Sequence, residues 1–177
     1  MKPNYVSILF TLALAMISSG IFAQEAVKAR KSPLEVVTYK SPDTYVKIMY
    51  GRPHKQGRDI FGQLVPYGKI WRTGANEATE ITTTGTITLA GKSIPAGTYS
   101  VFTIPQKDKW TIILNKDLGL WGSYQYKQEQ DFIRFDVPVQ QLEETYEPFT
   151  IEFETVGNDV NLKMMWETTG VSMPVTF

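Results

Sequence analysis

Five cations, Arg52, Lys55, Arg58, Lys69 and Arg72, fall within residues 51–78 and face only Asp59 and Glu77, a local balance of +3. The same stretch holds three of the five arginines in the chain and its one histidine, His54. Arginine presents a rigid planar fork of donors that matches carboxylate, phosphate or sulfate oxygens. The functional expectation is therefore a site for a small polar or anionic ligand at Arg52, Arg58, Arg72, Asn76 and Glu77. The bland expectation is that these arginines pair with Asp59, Glu77, Glu80 and loop carbonyls and simply hold an irregular segment flat.

Other chemistries are harder to assemble. Glu77 and Glu80 could act as acid and base on a glycosidic bond, because two flanking carboxylates suffice for that reaction. An extended backbone would, however, send residues three apart to opposite faces. His54 has no evident sequence partner and reads as a solvent-facing side chain. No GxSxG-type elbow is present. Asp159 with Asn158 and Asn161, or Asp117 with Asn115, lack EF-hand spacing and read as turns, so neither a metal nor a cofactor is expected. A second cluster, Trp121, Tyr124 and Tyr126, lies between Asn115 and Asp131 with Gly119 and Gly122. Flat aromatics can stack on sugar faces. The alternative is that Trp121 plugs one end of the fold and the tyrosines pack along it. If both clusters share one end, Trp121 and Tyr124 would wall a pocket of Arg, Asn and Glu.

The elements that must position these residues read as strands. Val46, Ile48 and Tyr50 alternate with Tyr45, Lys47 and Met49, and Phe149, Ile151 and Phe153 with Thr150, Glu152 and Glu154. Residues 97–104 and 109–115 read as a strand pair, and Gly157-Asn158-Asp159 as a hairpin turn. Period-2 alternation in many short runs indicates an all-β chain, an antiparallel β-sandwich (jelly-roll-like) of about ten strands with little helix. Val139–Thr145 is the best helical candidate. The run from Val171 contains Pro174, which calls for an edge position. Residues 51–78 break the rhythm with five Gly and two Pro. Ile60, Phe61, Leu64, Val65, Tyr67, Ile70 and Trp71 give that segment too much apolar surface for disorder, so it is expected as one long ordered loop across a mouth of the sandwich.

Residues 1–23 combine Lys2, an apolar run from Val6 to Ile17 and a small residue, Ala23, before Gln24. These are the parts of a secretory signal peptide, expected to be cleaved after Ala23 and to deliver the protein to the periplasm or beyond. Residues 24–33 read as a linker and 34–177 as a single sandwich domain, with no later stretch of membrane-spanning length. The whole chain has 18 basic and 18 acidic residues, so its formal charge of zero argues against nucleic acid as a partner. It has no cysteine, which removes disulfides, thiol nucleophiles and thiolate metal sites.

The strings SPDTYVKIMYGRPHKQGRDIFGQLVPYGKIWRTGANEATEIT, AGKSIPAGTYSVFTIP, WTIILNKDLGLWGSYQY and DFIRFDV occur in this order. Together they resemble an exported bacterial family, domain of unknown function 2911, frequent in Bacteroidota, from about Ser41 to Phe177. The resemblance implies an envelope or secreted location and an all-β body, and it carries over no catalytic residue. The leading expectation is a non-catalytic module that binds an anionic or carbohydrate ligand. One alternative is a glycan-acting hydrolase or lyase with Glu77 or Glu80 as acid/base and Arg72 stabilising charge. The other is a structural or assembly protein using Met165 and the Pro174 strand for contacts.

Overall fold

The computed structural model describes residues 29–177, so the expected signal peptide and the first part of the linker lie outside the described residues. Ten strands form two antiparallel sheets packed face to face. In chain order they are β1 (Leu34–Lys40), β2 (Tyr45–Gly51), β3 (Thr79–Thr83), β4 (Ile87–Leu89), β5 (Lys92–Ile94), β6 (Gly97–Pro105), β7 (Lys109–Asn115), β8 (Asp131–Pro138), β9 (Gln140–Val156) and β10 (Asp159–Thr176). The larger sheet runs β1-β2-β3-β6-β7-β8 and the smaller β5-β4-β10-β9. The larger sheet is a meander interrupted only by the β4–β5 excursion into the other layer, an order unlike the paired Greek keys of a jelly roll.

The alternation read from the sequence sets the faces. Val46, Ile48 and Tyr50 of β2 and Ile81 of β3 turn inward to meet Phe149 and Ile151 of β9 and Leu162 and Met164 of β10. One 3-10 turn, Gln128–Gln130, is the only helix among the described residues. The helix expected at Val139–Thr145 is instead the start of β9. Gln140 and Gln141 pair with Gly170 and Thr169, so ladder hydrogen bonds override the helical preference of a Glu-rich stretch.

The two runs read separately at Val160–Trp166 and from Val171 are one strand with a change of phase. Even-numbered residues face inward up to Trp166, and odd-numbered ones, Val171, Met173 and Val175, face inward after it. Strand periodicity forbids that inversion without an extra residue. Glu167 supplies it, with φ of 54° and register shifts on either side. Pro174 then lies beyond Gly170, the last residue of β10 paired with β9, where one side of the strand has no ladder partner. Met165, expected at a contact surface, is 1% exposed and belongs to the interior.

Residues 52–78 form an ordered connection that closes one mouth of the sandwich. Trp71 exchanges both backbone bonds with Thr103 of β6, at 2.7 and 2.9 Å. Its indole enters a cluster with Phe61, Trp110, Phe149 and Trp166, stacked on Trp166 at a centroid distance of 6.0 Å and an interplanar angle of 18°. Ile60 and Val65 are buried beside it. On the outer face of the larger sheet a second, smaller cluster joins Phe102, Ile113 and Ala78 to Ile70, Leu120 and Tyr126. That cluster explains why β6 and β7 carry apolar residues on both faces, since two loops cover their outer side.

Candidate functional site

The WRTGANE turn is held against β2 by two glycines. A Cβ on Gly51 would lie 2.0 Å from the Ala75 carbonyl oxygen, and one on Gly74 would lie 2.9 Å from the Gly51 carbonyl oxygen. Backbone therefore rests directly on backbone, and the Ala75 N–H donates to the Gly51 carbonyl at 3.1 Å. Between them Thr73 takes φ of 55° while fully buried. A β-branched residue in the left-handed region is a true outlier, and such strain concentrates at functional positions. Its surroundings compensate: Thr73 Oγ1 donates to Thr103 Oγ1 at 3.2 Å, and the Thr73 carbonyl accepts from Thr79 Oγ1 at 2.7 Å.

Asn76, also left-handed at φ of 65°, joins three segments. Its side-chain amide donates to the Ser32 carbonyl at 3.4 Å, and its own carbonyl accepts from the Gly122 N–H at 2.9 Å. The Ala78 N–H donates to the Leu120 carbonyl at 2.8 Å, and Glu77 faces Trp121 in a backbone bridge. The Arg-rich segment and the Trp121 loop thus share one end of the molecule. Trp121 is 58% exposed and Tyr124 87% exposed, so neither plugs the sandwich; Trp71 and Phe61 occupy that interior position.

Beside Asn76 is a cleft of about 330 Å³ whose lining includes Trp71, Trp166, Arg58, Arg72, Asn76 and Ser32. The Arg72 side chain makes no ion pair or hydrogen bond among the described residues, and its Nε, like that of Arg52, is buried without a partner. Burial lowers its pKa, opposed by the Tyr124 phenol, which lies within Coulombic range. A guanidinium remains charged at neutral pH regardless. The cleft therefore presents an uncompensated, partly desolvated cation beside an amide and two indoles.

The other expected residues divide. Arg58 lines the cleft, with Nε donating to the Lys55 carbonyl at 2.9 Å and Nη2 to the His54 carbonyl at 2.5 Å. Arg52 is directed elsewhere: Nη2 donates to Thr150 Oγ1 at 3.1 Å and Nη1 approaches Glu35 at 3.6 Å. Glu77 is engaged at both oxygens by the Arg30 fork, at 2.8 and 2.9 Å, which holds its carboxyl below the usual range despite partial burial. Glu80 accepts the Gly119 N–H at 2.9 Å and ties the second loop to β3. His54, read as lacking a partner, meets Glu147 Oε2 through Nδ1 at 2.9 Å, ninety-three residues away. Glu147 also accepts the Gln56 N–H at 2.8 Å, the first of several contacts that lower its pKa. Among the described residues no group of three or more His, Asp or Glu converges as for a metal ion.

Sequence reasoning missed Arg30, Lys31 and Ser32. Residues 30–33, expected as linker, lie along the site, and the Pro33 carbonyl accepts the Arg52 N–H at 2.8 Å. The only sequence signal was their basic charge. The loop between β7 and β8 is fixed at its far end by a second network. Tyr126 and Arg134 both donate to Asp131 Oδ2, at 2.8 and 2.6 Å, and Arg134 also meets the Tyr126 hydroxyl. Burial, reinforced by Asp131, pushes the Tyr126 phenol up to about 12. This anchoring leaves Tyr124, two residues earlier, projecting into solvent.

Neither the curated proteins nor the solved structures include a match to this chain. Residues 32–175 do match one family, and with nearly all of the described sandwich inside that span the chain belongs to the family described as Protein of unknown function (DUF2911).

Proposed function

We propose that this chain is an exported, non-catalytic binding module for a polar, anionic small molecule or glycan seated on Arg72. One observation carries the reading. Arg72 alone among the three arginines of its loop has no acceptor among the described residues, and it lines a cleft with Asn76 and Arg58. A partly desolvated guanidinium with no acceptor would gain charge-assisted hydrogen bonds from an incoming oxyanion. The exposed Trp121 and Tyr124 at the same end suit the flat face of a sugar. The hydrolase alternative receives less support, because a carboxyl held low by Arg30 is poorly suited to donate a proton. An assembly role draws only on Leu34 and Val36, each about half exposed on the edge strand β1.

The test is a thermal-shift series of the described domain with sugar acids, neutral sugars and phosphates, run on the native chain and on Arg72→Ala. A ligand at one hundred times its Kd should raise the native Tm by roughly 5–10 °C. Arg72→Ala should melt close to the native chain and show no ligand-induced rise. An unfolded Arg72→Ala protein, or an undiminished rise, would sink the proposal.

A further inference from the structure

Next to the Arg72 cleft is a second one of about 230 Å³, lined by Lys31, Ser32, His54, Gln56 and Arg58. The two share Ser32 and Arg58 and so adjoin. Lys31, Arg58 and Arg72 contribute three cations to their combined lining, and no carboxylate lines either cleft. Two carboxylates close to this region are already engaged. Glu147 is held by His54 Nδ1 and the Gln56 N–H, and Glu77 by the Arg30 fork.

Resting on the reading of Arg72 as an anion anchor, we infer that the ligand carries two anionic groups, one held at Arg72 and the other at Lys31 in the adjoining cleft, with Arg58 between them. A single anion would leave one end of the tract uncompensated. Only three of the 18 Lys and Arg residues line these clefts, on a chain whose total formal charge is zero, so the arrangement suits a short ligand with two anionic groups rather than a long polyanion. Pyrophosphate and a disaccharide of two uronic acids share that chemistry. Trp121 and Tyr124 line neither cleft, but they are exposed at the same end of the molecule and favour the saccharide, since a ring face extending past Arg72 gives aromatic side chains something to stack on.

The probes are galacturonate, digalacturonate and pyrophosphate, titrated calorimetrically into the native chain, Arg72→Ala and Lys31→Ala. Lys31 is exposed, so its replacement leaves the fold unaffected, which circular dichroism checks directly. The expected result is digalacturonate binding at least tenfold tighter than galacturonate. Lys31→Ala should erase that difference while leaving galacturonate unchanged, and Arg72→Ala should remove both. Equal affinities for the two sugars with no effect of Lys31→Ala would overturn the two-anion inference and leave the single-anion reading standing. Pyrophosphate binding more tightly than digalacturonate, with the same Lys31 dependence, would support two anions and overturn the saccharide assignment. Binding of none of the three would defeat the inference and the reading beneath it together.

Discussion

Arg72 and Glu77 sit five residues apart and differ in what surrounds them. Glu77 is satisfied by a two-pronged ion pair with Arg30, whereas the Arg72 guanidinium has neither an ion pair nor a hydrogen bond among the described residues. Removing Arg72 should therefore cost little stability, while removing Glu77 affects only a pair that is 48% and 39% exposed. Such a pair contributes about 0.5 kcal/mol. The sign of its pH dependence follows from the lowered Glu77 carboxyl. Its contribution is fully present above the unfolded carboxyl value of about 4.3 and disappears as pH falls through the lower folded value. Melting curves of Glu77→Gln should consequently lie about 1–2 °C below the native chain at neutral pH and converge with it near pH ~2. An equal deficit at both pH values would mean that the residue stabilises the fold by another route. The sequence marked Arg52, Arg58 and Arg72 as equivalent; their separation into two staples and one unpaired cation depends on Thr150, Glu35 and the loop carbonyls, which sequence spacing does not place.

Among the elements, those with a local signal were legible and those made by distant pairing were not. Alternation identified β2 and the Gly157 hairpin, which bury one face locally, while the polar turn between β6 and β7 marked that pair, which is covered on both faces. The first turn of β9 was missed because its partner, the end of β10, lies some thirty residues on and follows a phase-inverting bulge. The union of the Arg72 and Trp121 loops was equally hidden, resting on backbone bonds from Ala78 and Gly122 to residues more than forty positions away. One element depends on a single missing side chain: the turn carrying Arg72 lies on Gly51, where a Cβ would stand 2.0 Å from the Ala75 oxygen. Gly51→Ala should therefore cost about 3 kcal/mol or more in denaturant unfolding and displace Arg72 together with the turn. A midpoint unchanged from the native chain would show that the turn is free to lift from β2.

For the whole molecule, stability without disulfides rests on one aromatic centre linking both sheets and the long loop. Trp110 of β7 contributes from the larger sheet, Phe149 and Trp166 from the smaller, and Trp71 from the loop. Trp110 is fully buried, so Trp110→Ala should cost about 3–5 kcal/mol and unfold the loop and the sheets in one transition. Separate melting of the loop would show that it is an appendage rather than part of the core. We propose that the chain is exported and that its mature form begins at Gln24; N-terminal sequencing of protein recovered from the periplasm or medium should read Gln24 first. The zero net charge conceals its distribution, with five cations against two acids in residues 51–78 and the complementary excess of acids elsewhere. On the proposed reading this concentration ends in one guanidinium poised for an oxyanion. The most direct test of that reading is the Arg72 Nε–Hε signal in a nitrogen–proton correlation spectrum, assigned by its loss in Arg72→Lys and followed through a digalacturonate titration. The signal should move saturably with the calorimetric affinity, as the guanidinium that carries Nε gains an acceptor. A signal that stays fixed while the ligand binds elsewhere would contradict the claim.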